Sequence, residues 1–95
     1  MENKGMKWIE IIKLRIAGRT PERMKAFLSA ISKNGQSGLR EIKIYRHAEW
    51  ETDWTVNLYW QSEQPEKNGS ALGLRLSQAL EEFGLIDHSV WIEEV

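Results

Sequence analysis

Residues 54–60 read Trp54-Thr55-Val56-Asn57-Leu58-Tyr59-Trp60. Trp54, Val56, Leu58 and Trp60 alternate with Thr55, Asn57 and Tyr59. A strict period of two is the pattern of a strand with one face in a core. The second face carries a hydroxyl, an amide and a phenol rather than charges. A face that only met water would be more polar. What covers that face is the functional question.

Working outward, Leu39 to Ala48 reads as the strand before it. Ile42 and Ile44 share one face, and Glu41, Lys43, Tyr45 and His47 the other. The polar turn Glu49 to Asp53, interrupted by Trp50, is short enough to make the two strands an antiparallel hairpin. Upstream, Lys7 to Ala17 reads as a strand ended by Gly18. Ile12, Leu14 and Ile16 alternate with Lys13 and Arg15, while Ile9 and Ile11 fall on the opposite phase. Either a bulge shifts the phase there or both faces are covered.

Thr20-Pro21 predicts a helix start, with a hydroxyl cap and proline at the first helical position. Met24, Phe27, Leu28 and Ile31 then form one apolar stripe. Lys33 and Gly35 supply a C-terminal charge and a left-handed cap. After the loop Ser62 to Gly69, Ser70 caps a second helix with the stripe Leu72, Leu76, Ala79, Leu80 and Phe83. Leu74 lies off that stripe, and Gly84 is the expected C-cap. His88 to Val95 reads as the last strand.

The order is β-α-β-β-α-β, which predicts an α+β fold: a ferredoxin-like βαββαβ sandwich. Right-handed crossovers place two helices on one face of a four-stranded antiparallel sheet of order 4-1-3-2. The open face should then carry Ile9, Ile11, Lys13, Arg15, Lys43, Tyr45, His47, Thr55, Asn57, Tyr59, Ser89, Trp91 and Glu93.

The chain has 95 residues, the size of a single domain over 1–95. It has no cysteine, which excludes disulfides and thiolate chemistry and suits a reducing, cytoplasmic setting. No secretory signal and no membrane span is visible in the sequence. A net charge of −1 gives no general attraction to nucleic acid. Glu49, Glu51 and Asp53 lie near His47, but turn residues without a second histidine on the strand do not make a metal site, so none is expected. Nucleophile elbow, P-loop and dinucleotide fingerprints are all absent. No cofactor is expected.

Two uses of the open face follow from its residues. It can pack on a second copy, since a small domain with an amphipathic sheet gains core by association. It can also hold a small aromatic ligand, with Tyr45, Trp60 and Trp91 as binding residues. The catalytic candidates are His47, Asn57 and Tyr59. Histidine ordinarily titrates near neutrality and serves as a base, while an amide and a phenol can stabilise an oxyanion.

The segment Asn57-Leu58-Tyr59-Trp60-Gln61-Ser62-Glu63 resembles the antibiotic biosynthesis monooxygenase-like group of dimeric α+β barrels. In that group the third strand commonly ends in Trp-x-Ser, here Trp60-Gln61-Ser62, and Arg46 with Asp53 resembles its arginine, turn and aspartate pattern. The resemblance implies a homodimer with facing sheets. In some members it implies oxygenation of a phenolic substrate without metal or flavin. The haem-degrading branch has an asparagine in the first strand and a histidine in the second helix, and this chain has neither. The expectation is a homodimeric, non-catalytic module that binds a small molecule or a protein. The alternative is a cofactor-independent monooxygenase-like enzyme acting on a phenolic or quinone-type substrate.

Overall fold

The computed structural model describes residues 5–94. The elements are β1 (Met6–Ile16), α1 (Glu22–Ile31), β2 (Leu39–Arg46), β3 (Asp53–Ser62), α2 (Ala71–Leu80) and β4 (Gly84–Ile92). The four strands form one antiparallel sheet of order β2-β3-β1-β4, which is the expected order read from the other edge. The molecule is therefore α+β, as its sequence predicts.

The β3 stretch sits centrally, between β1 and β2. Its even-numbered residues Val56, Leu58 and Trp60 are buried. They pair with Ile12, Glu10 and Trp8 of β1, so these share their face. Met24, Leu28 and Ile31 of α1 and Leu72, Leu76 and Leu80 of α2 complete one apolar cluster with that face. Trp8 and Trp60 stack with ring centroids 5.4 Å apart. One cluster serves both helices because every inward residue of β1 is even-numbered.

No bulge occurs in β1. Its register runs unbroken against β3 and β4, so Ile9 and Ile11 lie on the face opposite the helices. The sheet's irregularity is in β2, where Leu39 pairs with Trp60 and Glu41 with Tyr59, leaving Arg40 as the extra residue.

Gly18 has a φ of 79°, a left-handed conformation suited to glycine at the end of β1. The α1 cap is Pro21 rather than Thr20, and no side chain caps it. Gly35 does not close α1; Ser32 does, in a right-handed conformation. On α2 the buried stripe is Leu72, Gly73, Leu76, Ser77 and Leu80, whereas Ala79 is exposed. Gly84 is the first residue of β4 rather than a cap. It lies opposite Ile16, where a Cβ would overlap the carbonyl oxygen of Arg15. β4 thus starts four residues before His88, and Val95 lies outside the described residues. No helix among the described residues is long and apolar enough to cross a membrane.

Candidate functional site

Paired strands put residues on the open face in transverse rows. The first row is Trp91, Ile9, Tyr59 and Glu41. The second is Ser89, Ile11, Asn57 and Lys43, and the third is Asp87, Lys13, Thr55 and Tyr45. The fourth is Leu85, Arg15 and Asp53, with His47 alongside through a backbone N–H to the Asp53 carbonyl at 2.8 Å. Successive rows are two residues, or ~6.8 Å, apart.

These rows decide which predicted residues meet. Tyr59 and Trp91 share the first row and line one cleft of about 450 Å³. Trp60 edges that cleft but points into the core, 5% exposed, and its indole N–H is used there. Tyr45 and His47 line a second cleft of about 530 Å³ at the other end of the face. Asn57 is buried between the two clefts, 8% exposed, and lines neither. His47 therefore stands about 13 Å from Asn57 and roughly 20 Å from Tyr59 along the strands. The sheet does not bring the three candidate catalytic residues together.

His47 is also engaged locally. Its Nδ1 accepts the backbone N–H groups of Glu49 at 3.0 Å and Trp50 at 3.2 Å. Its ring stacks on Trp50 with centroids 4.9 Å apart. The imidazole thereby closes the β2–β3 turn. Burial pushes the Tyr59 phenol up, and Tyr45 adds to that shift, so Tyr59 stays a neutral hydroxyl over a wide pH range.

The charges of this face are balanced within the protomer, and two of the matches are ion pairs. Arg15 grips Asp53 with two bonds, Nε to Oδ1 at 3.0 Å and Nη2 to Oδ2 at 2.9 Å. Lys43 lies 3.6 Å from Glu41. Lys13 stands across from Asp87, and Lys7 beside Glu93. Arg46, which precedes the turn that Asp53 follows, makes no ion pair among the described residues.

Hydrogen bonding to Arg15, then to Thr52, holds the Asp53 carboxyl below its ordinary value of 3.8. A depressed folded-state value means that the stabilisation is complete above 3.8 and is lost as pH falls through the folded value. Both groups meet solvent, so the effect is small and screened by salt. Asp53→Asn should flatten the stability–pH curve below the ordinary aspartate range and change little else. Urea unfolding at neutral and strongly acidic pH, in low and high salt, measures this.

A second polar centre lies on the helix-facing side, and the sequence reading passed over it. Glu10 is 0% exposed in the middle of β1. Its Oε1 accepts the Trp60 indole N–H at 2.8 Å and the Ser70 hydroxyl at 2.6 Å. Its Oε2 accepts the Ser70 backbone N–H at 2.9 Å and lies 2.8 Å from His88 Nε2. Four groups converge on a carboxylate with about four lone-pair sites. Ser70 Oγ in turn accepts from the Gly73 N–H at 2.9 Å, so the α2 cap and Glu10 form one network. The positive end of the helix faces the acid. Gly69 and Gly73 leave the space, since a Cβ on either would strike the His88 ring or the Glu10 carboxylate.

The period-two phase of Trp8, Ile12, Leu14 and Ile16 places Glu10 in the core. A charged residue on a core phase signals a dedicated set of donors. His88 likewise belongs to this network. Both ends of Trp60-Gln61-Ser62 are structural here: Trp60 holds Glu10, and Ser62 Oγ accepts the Trp8 indole N–H at 2.9 Å.

No group of three or more His, Cys, Asp or Glu side chains able to hold a metal occurs among the described residues. Comparison with family models, curated proteins and solved structures finds no match to this chain.

Proposed function

We propose that this chain is a ferredoxin-like, homodimeric, non-catalytic module that buries its open sheet face against a second copy, with a small aromatic molecule as the ligand of the Tyr59–Trp91 cleft. The observation that carries the reading is the composition of that face. Ile9, Ile11 and Tyr59 are half-buried on it, and Tyr45, Leu85 and Trp91 are exposed large side chains with no helix over them. A run of apolar surface on a small domain marks an interaction site.

Charge and size favour a second copy as the occupant. Lys7, Lys13, Arg15 and Lys43 are matched by Glu93, Asp87, Asp53 and Glu41. A face neutral in itself does not repel its own copy, and it does not recruit a strongly charged partner. Four strands ~4.8 Å apart and about nine residues long at ~3.3 Å each give a footprint of roughly 600 Å². Side-chain relief raises the accessible area of the whole face toward the ~800 Å² per partner of a specific interface, so a contact over part of it belongs to the small end of that class. The cleft volume of about 450 Å³ falls within the range of small-molecule sites. An oxygenase at this face would need a base within reach of Asn57 and Tyr59, and His47 is held at the far end.

Sedimentation at micromolar concentration should show a dimer. Tyr59→Glu puts an unpaired charge into the buried patch and should weaken association by at least about tenfold. Circular dichroism checks that the variant is folded. A wild-type chain that stays monomeric refutes the reading.

A further inference from the structure

We infer that the two copies meet in one register, with the apolar end of one open face lying on the apolar end of the other; this rests on the homodimer reading above. The face is not uniform along its strands. On β4, β1 and β3 its first two rows hold Trp91, Ile9, Tyr59 and Ile11 as one apolar group, and the Glu41–Lys43 pair of these rows stands beside them on the edge strand β2. Its last two rows hold Lys13 opposite Asp87 and the bidentate Arg15–Asp53 pair.

Overlap of unlike ends would lay Ile9 and Tyr59 over Arg15–Asp53 and strip water from a pair that is solvated in the protomer. Burying an ion pair beneath an apolar ring costs more than the pair returns. Overlap of the apolar ends removes the apolar rows from water and leaves the ion pairs at the rim, the usual plan of an interface. A two-fold axis through the apolar end satisfies this, because an isologous contact sets the same patch on itself. The Tyr59 clefts of the two protomers then adjoin across the axis, so Trp91 of one copy stands near the cleft of the other. Of the remaining large side chains, Leu85 lies on the edge strand β4 at the ion-paired end, outside the overlap, whereas Tyr45 on the edge strand β2 reaches toward Tyr59.

β4 offers a matched pair of probes. Trp91 is 59% exposed and Leu85 is 76% exposed, both on the open face of the same strand. They are six residues, or roughly 20 Å, apart. Neither is buried in the protomer, so Trp91→Arg and Leu85→Arg should both retain the wild-type circular dichroism. The register predicts that Trp91→Arg raises the dimer dissociation constant by about 30-fold or more, as loss of a buried aromatic anchor does. Leu85→Arg should change it by less than about threefold, as at a rim position.

Sedimentation equilibrium of the three proteins separates the outcomes. A dimer broken mainly by Leu85→Arg, or broken equally by both, overturns the register and leaves the dimer standing. A dimer indifferent to both overturns the register and the choice of this face. A monomeric wild type overturns the homodimer itself.

Discussion

Glu10→Ala should cost about 3–5 kcal/mol of folding stability, the range for removing one partner from a buried charged network. The Trp60 indole N–H, the Ser70 N–H and hydroxyl, and His88 Nε2 all converge on this carboxylate. Removing it leaves these groups facing a small void inside the sheet–helix layer, where Leu58 and Val90 flank the position. Each orphaned donor forfeits ~1–3 kcal/mol, and local relaxation recovers part of that. A domain of this size is expected to have only ~5–14 kcal/mol in total. Glu10→Gln should fall between. Its NH₂ group, placed at Oε2, can donate to His88 Nε2 once the imidazole takes the other tautomer, but it still opposes the Ser70 N–H. Urea unfolding of the three proteins measures the series. A loss below ~1 kcal/mol for Glu10→Ala would mean that the four donors find other partners, and the network would not hold α2 to β1.

The same network explains which features were legible in the sequence. The strand order followed from alternation and connection lengths, because every strand has one face in a common core. Tyr59 and Trp91 were placed on the open face by that same alternation, and they share a row. The separation of His47 from Asn57 and Tyr59 could not be seen without the register, since alternation fixes a face and not a distance along it. The start of β4 does not show in the sequence because Gly84 reads as a helix end; Gly84 is glycine because the backbone of β1 passes too close for a Cβ. Leu85 was therefore left out of the open face, although it is the most exposed large apolar side chain among the described residues. Glu10 was legible as a charge on a core phase, but its partners were not. Ser70 lies 60 positions away, Trp60 lies 50 and His88 lies 78, and no local pattern links them.

Gly73 gives the sharpest test of that long-range link, because local and tertiary effects have opposite signs there. It is the third residue of α2, and alanine is better than glycine within a helix by up to ~1 kcal/mol. Propensity alone therefore predicts that Gly73→Ala stabilises. The structure predicts the reverse. A Cβ at Gly73 would overlap Glu10 Oε2 and lie 2.7 Å from its Cδ. The end of a glutamate side chain can usually swing aside, but here both oxygens are fixed by their donors and the residue has no exposure. Overpacking against an immobile group costs ~1–3 kcal/mol. Gly73→Ala should thus lower stability by about 2 kcal/mol. In the Glu10→Ala background the obstruction is gone, and the same substitution should become neutral or stabilising, by up to ~1 kcal/mol. The double-mutant cycle should return a coupling of about 2 kcal/mol or more, measured by urea unfolding of the four proteins. A coupling within ~0.5 kcal/mol of zero would place the two residues out of contact and would refute the packing of α2 on the Glu10 carboxylate.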